Sequence, residues 1–264
     1  MSAQPRRLRT LLEFASRSMG QPYGKAFLRR VALRHPCCTS RGIMAYSRTL
    51  TQESTHERRL AQLDARTFAE NASSHASQLL VATGFCQKPL RAAGDAHDCP
   101  SGRFSHDCTF LSRLSRQSHG ALHPACRSCD IRVLGHATLL AGGCFAVLAS
   151  ALDIAYDILL SALEERRYRH ILLATCLYSL EPLSLALLCC GLDGHIFTYQ
   201  TGDCASYAQW QQADNGHKPQ RTTLAPQSRA DMLHLLGMIA SRRRAQPGAQ
   251  PTHYEQRHHV FQPV

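Results

Sequence analysis

Twelve cysteines punctuate this chain, at positions 37, 38, 86, 99, 108, 126, 129, 144, 176, 189, 190 and 204. A thiolate is both a metal ligand and a nucleophile, so their spacing decides which chemistry is available. Cys126 and Cys129 form a CxxC pair in HPACRSCDI, the arrangement by which one loop gives two sulfur ligands to one centre. A second feature is the duplicated triplet His97-Asp98-Cys99 and His106-Asp107-Cys108 around Pro100-Ser101-Gly102. A turn at that centre would let His97, Cys99, His106 and Cys108 face one another as a loose second ligand set. The triplets also admit a cysteine-hydrolase reading, with Asp98 or Asp107 orienting a histidine beside a thiol, and a reading as a plain polar loop. Catalytic partners ordinarily come from different elements, which weighs against the hydrolase.

The elements that must position these residues follow from apolar patterning. LLVATGF (79–85), CFAVLA (144–149), HILLAT (170–175) and HIFTY (195–199) read as strands, mostly continuous apolar runs of the kind buried on both faces. Helices are expected within 55–80 and over 131–142, which stops at Gly142-Gly143. Another opens on the capping-box spacing of Ser150 and Asp153. Two more are capped by Ser179, with Pro182 in the first turn, and by Asp203 (204–213), and a further one covers 230–240. Alternating strands and helices imply right-handed crossovers. The expected fold is α/β, a three-layer Rossmann-like sandwich with a mostly parallel sheet and a long Cys/His-rich loop (86–130) before the regular part. Residues 44–225 form its single domain.

In a parallel sheet the loops leaving strand C-termini collect along one edge. Cys86, Cys176 and Cys204 each follow a strand and so share a rim. Cys129, Cys176 and Cys204 also lie within about a turn of a helix N-terminus, where partial positive charge favours thiolate. The expectation is a metal-thiolate protein holding an iron-sulfur cluster or zinc on Cys126, Cys129, Cys176 and Cys204, with Cys86, Cys99 and Cys108 as substitutes or a second set. Competing readings are a redox dithiol at the CxxC pair, an enzyme with Cys176 as nucleophile, and a scaffold with structural zinc. Cys144, Cys189 and Cys190 fall in apolar segments and read as small core residues.

The order of CxxCDI (Cys126 to Ile131), a strand-end Thr175-Cys176 and the triplet Gly202-Asp203-Cys204 resembles a prokaryotic cysteine-rich domain of unknown function. That family carries Asp-Gly-Cys where this chain has Gly-Asp-Cys. The resemblance covers residues 126–210 and implies a metal or iron-sulfur role.

Composition bounds the remaining classes. Residues 1–43 hold nine Lys and Arg against one acid, Glu13, and so carry +8 of the formal +11. The body is nearly neutral and few aromatics interleave with its basic residues, which argues against a nucleic-acid partner. The basic head reads as a disordered tail, a transit segment, or an over-extended start ahead of Met44. Without a secretory apolar region there, a reducing cytoplasmic setting is expected. Val133–Leu152 has no Asp, Glu, Lys or Arg and is nominally long enough to span a bilayer, but the Gly142-Gly143 pair breaks it. No GxGxxG, Walker-type loop, GxSxG or HExxH occurs. After the 230–240 helix the chain is expected to be loose.

Overall fold

The computed structural model of the chain describes residues 4–52, 56–60, 63–91, 97–114, 121–245 and 253–264. It opens with α1 (Gln4–Ser18), α2 (Pro22–Ala26) running on through a π-helical turn (Phe27–Ala32), and α3 (Pro36–Thr49). There follow β1 (Glu57–Arg59), α4 (Ala65–Ser74), β2 (Leu79–Gly84), α5 (Thr109–Leu114), α6 (Asp130–Ala141) and β3 (Cys144–Leu148). Next, α7 (Ala151–Asp153) continues through a π-helical stretch (Ile154–Leu160) into α8 (Ser161–Leu163), before β4 (His170–Thr175), α9 (Leu180–Cys189) and β5 (Asp193–Thr201). The chain ends with α10 (Tyr207–Asp214), β6 (Thr223–Leu224), α11 (Pro226–Arg244), β7 (Tyr254–Arg257) and β8 (Val260–Pro263).

The fold is α/β around a mixed sheet in the order β1-β5-β4-β2-β3-β8-β7, with β6 paired to β5. Only the four central strands are parallel: β3 pairs with β2, β2 with β4, and β4 with β5. Beta1, β6, β7 and β8 join antiparallel, so the expectation of a mostly parallel sheet is corrected to a parallel centre with antiparallel margins. The period of two explains why the central strands are apolar throughout. Leu79, Val81, Phe145, Val147, Leu172 and Phe197 pack on one face with α4, α6 and α11. Leu80, Ala82, Ala146, Ile171, Leu173 and Ile196 pack on the other with Ile158, Leu159 and α9.

Several other expectations change. The expected 55–80 helix is instead β1 followed by α4, capped by Asp64 Oδ1 accepting from Thr67 N at 2.8 Å; part of that stretch lies outside the described residues. The tail beyond 253 is a hairpin, not loose chain. It is fixed by buried Tyr254, Val260 and Phe261, and Tyr254 Oη donates to Gly135 O at 2.8 Å. The apolar run 133–152 is divided by Gly142, whose φ of 71° closes α6 ahead of a central strand. No described helix is long and apolar enough to cross a membrane.

The basic head is helical rather than disordered. Leu11, Phe14, Ala15 and Ser18 recur at helical spacing on one side of α1 and face a chamber. Arg7 donates to Leu50 O at 3.1 Å and Gln52 O at 2.7 Å. Beneath, fully buried Arg58 donates to Glu181 Oε1 at 2.9 Å, and Tyr46 Oη donates to Glu181 Oε2 at 2.9 Å. These bonds tie α3, β1 and α9 together.

Candidate functional site

Among the parallel strands β2 comes first, β3 lies on one side of it and β4 on the other. The connections therefore leave β2 and β4 in opposite directions, and a crevice opens beyond their C-terminal ends. Open α/β sheets bind ligands at such a switch point. Cys86 stands two residues past β2, Cys176 directly after β4 and Cys204 three residues past β5, and all three line one chamber of about 330 Å³. The shared rim expected from the sequence is there.

The chamber floor carries the polar chemistry. Cys176 and Cys204 both line it, on segments joined by the hydrogen bond from Leu177 N to Asp203, and the two thiols act on each other electrostatically. Cys176 Sγ also shares a hydrogen bond with Ser179 Oγ at 3.0 Å, which is why Ser179 does not cap α9. Lys218 Nζ donates to Cys204 Sγ at 3.3 Å, and Thr222 Oγ1 donates to Cys86 Sγ at 3.1 Å. Tyr199 Oη donates to Ala174 O at 2.9 Å and accepts from Gly84 N at 3.0 Å, holding the ends of β2, β4 and β5 in register. Asp203 accepts from Leu177 N at 2.9 Å through Oδ2, while its buried Oδ1 has no partner among the described residues. Asp203 does not cap the following helix; Ser206 does, and α10 begins at Tyr207. The chamber walls are apolar, with Phe14, Leu159, Leu183 and Trp210 among them.

The two thiols of the pair are driven apart electrostatically. Cys176 and the Lys218 ammonium pull Cys204 down to about 6, against the desolvation that opposes them. The same interaction with Cys204, together with burial, pushes Cys176 well up. The ammonium thus favours the thiolate at Cys204 over Cys176.

Cys126 and Cys129 are not in this chamber. They belong with Cys99 and Cys108: the charges of Cys99 and Cys129 bear on Cys108, and that of Cys99 bears on both members of the CxxC pair. The four-cysteine set of the sequence reading is therefore divided between two groups. Each His-Asp-Cys triplet sends its cysteine to the second group and its histidine elsewhere. His97 lies edge-on to His123, and His106 stacks on His259 at 3.8 Å while its Nδ1 pairs with Val147 O at 2.9 Å.

Lys88 is buried, and its ammonium interacts electrostatically with Cys99, Cys108 and Cys129. It donates to Gly102 O at 3.0 Å and Ser105 O at 2.6 Å, so it also shapes the turn between the triplets. Its partnership with the thiols had no sequence signal beyond a lone lysine after a strand. The helix-terminus argument for thiolates fails here. Amides of Ile131 and Arg132 do favour the Cys129 anion, but burial outweighs them and raises Cys129 to about 11 and Cys108 to about 12.

Among the described residues, one trio places its ligand atoms all within 4.8 Å of one another: His106, Asp153 and His259. No three sulfur atoms of either thiol group close to that spacing. No family model, curated protein or solved structure matches the chain.

Proposed function

We propose that the protein is a metal-thiolate protein holding an iron-sulfur cluster on Cys99, Cys108, Cys126 and Cys129. What supports this reading is the electrostatic coupling of thiols from separate segments with one another and with one buried ammonium, Lys88. A cluster bound by four thiolates is anionic, and a fixed buried cation offsets that charge where water cannot. Tetrahedral zinc would need its sulfur ligands about 3.8 Å apart, from a Zn–S bond near 2.3 Å. Iron-sulfur clusters distribute their ligands over several iron atoms and accept wider spacing, which suits sulfurs that do not close to 4.8 Å. Bound, the cluster would supply one-electron chemistry.

The parallel centre reads as Rossmann-like, and on that reading the cluster loop lies beside the crevice at the strand C-termini. A reducing compartment such as the cytoplasm suits twelve unpaired cysteines.

The test is anaerobic purification with iron, sulfide and zinc analysis and a visible spectrum. Iron and sulfide with a broad thiolate-to-iron band are expected. Both should be lost in Cys99→Ser, Cys108→Ser, Cys126→Ser and Cys129→Ser and kept in Cys176→Ser and Cys204→Ser. A colourless protein with one zinc per chain, or a cluster lost only with Cys176 and Cys204, would overturn the assignment.

A further inference from the structure

The chamber at the switch point is separate from the proposed cluster loop and its residues need a different account. Its floor holds two thiols, Cys176 and Cys204, on segments joined by the Leu177–Asp203 hydrogen bond, one of them beside an ammonium. Its walls are apolar and come from elements far apart in the chain, including the helical head, α7 to α9 and α10. Two thiols facing one chamber from adjoining segments can be joined by a single bond, and a cation beside one of them selects which sulfur attacks first. An apolar enclosure of about 330 Å³ in front of them lies in the range of small-ligand sites and favours an aliphatic group over a peptide or a charged thiol.

We propose that Cys204 and Cys176 form a dithiol site that exchanges with a disulfide carried on an aliphatic chain, the chain occupying the chamber between Phe14, Leu159, Leu183 and Trp210.

The exchange balances as follows. The Cys204 thiolate attacks one sulfur of R–S–S–R′, forming Cys204–S–S–R and expelling R′S⁻. Cys176 then attacks the Cys204 sulfur, forming the Cys176–Cys204 disulfide and expelling the R thiolate, which takes up the Cys176 proton. The substrate disulfide is reduced to two thiols, and the two protein sulfurs are oxidised by the same two electrons. Lys218 positions and stabilises the attacking anion at 3.3 Å. Ser179, 3.0 Å from Cys176, keeps the resolving thiol turned toward its partner. Cys86 is held by Thr222 and stays out of the exchange.

The experiment uses the full chain and two probes that release the same chromophore, n-hexyl 2-pyridyl disulfide and the 2-pyridyl disulfide of glutathione. Release of pyridine-2-thione is followed in time, and the modified sulfurs are located by peptide mapping with fragmentation. The hexyl probe is expected to react at Cys204 at least ~10-fold faster than the glutathione probe, because only its chain gains from the apolar walls. The unsubstituted protein should end with a Cys176–Cys204 crosslink and no hexylthio group retained on either of those sulfurs. Cys176→Ser should stop at a hexylthio adduct on Cys204, and Cys204→Ser should lose the fast phase. Equal rates for the two probes, a hexylthio adduct that persists on Cys204 in the unsubstituted protein, or modification confined to Cys86 or to the exposed Cys37 would overturn the proposal. Both decisive measurements are made on the unsubstituted chain, so a variant that fails to fold leaves the test intact. The outcome is also independent of whether the cluster loop binds metal.

Discussion

Lys218 Nζ lies 3.3 Å from Cys204 Sγ, and the lysine reaches that sulfur from the loop after α10. Three groups bear on the Cys204 charge: Cys176 and Lys218 favour it, while Asp203 opposes it. The favourable pair wins and sets the thiol near 6. Alkylation of Cys204 by iodoacetamide, followed by peptide mapping, should therefore be near its plateau at pH 7 and fall as pH drops through about 6. Lys218→Met removes one of the two favourable groups and should move that midpoint upward. An unchanged midpoint in the variant would show that the ammonium does not act on the sulfur.

Asp203 has the opposite problem. Burial raises its carboxyl to about 6, and one oxygen has no hydrogen-bond partner among the described residues. The unfolded chain loses this proton near the ordinary aspartate value and the folded chain only near 6. Stability therefore falls as pH rises through that window, and the deficit is complete at pH 7. Asp203→Asn keeps an acceptor for Leu177 N and removes the buried charge. Denaturant unfolding should show the variant more stable than the parent at pH 7, with the gain shrinking toward zero by about pH 4. A gain that did not depend on pH would assign it to packing instead.

The parallel centre was legible because CFAVL and the run 171–174 within HILLAT are apolar and buried on both faces. From it followed the gathering of Cys86, Cys176 and Cys204, since crossover topology alone brings strand ends together. The margins were not legible. The hairpin rests on Tyr254, Val260 and Phe261 scattered among polar residues, and the stripe from Leu11 to Ser18 is masked by the surrounding arginines. The partnership of Cys99 and Cys108 with the CxxC pair depends on how a long loop returns to the sheet edge, which no local pattern encodes. Helix-terminus charge was a sound local argument for Cys129, but the depth of burial that defeats it is a tertiary property.

Arg58 and Glu181 form an ion pair with no solvent contact on the arginine. Such a pair adds little over a well-packed apolar alternative, yet removing one partner strands the other. Glu181→Ala should destabilise the fold by about 3–5 kcal/mol in chemical denaturation, because it leaves Arg58 buried and unpaired and also takes the acceptor from Tyr46. The double variant Arg58→Met, Glu181→Leu should recover a large part of that loss. A double variant as unstable as Glu181→Ala would locate the effect in packing rather than in the stranded charge.

Where α3 meets α9, the helices touch backbone to backbone. A Cβ placed on Gly42 would sit 2.5 Å from both N and Cα of Cys189, neither of which is the end of a flexible side chain. Gly42→Ala must therefore push the two helices apart, and its better helix propensity cannot offset a clash of that kind. The expected destabilisation is about 1–3 kcal/mol. Separation of α3 from α9 would also disturb the Tyr46–Glu181 hydrogen bond, so amides of both helices should lose hydrogen-exchange protection while those of central β2 and β4 keep theirs. Unchanged protection in α9 would mean that α3 is not seated on it at this glycine.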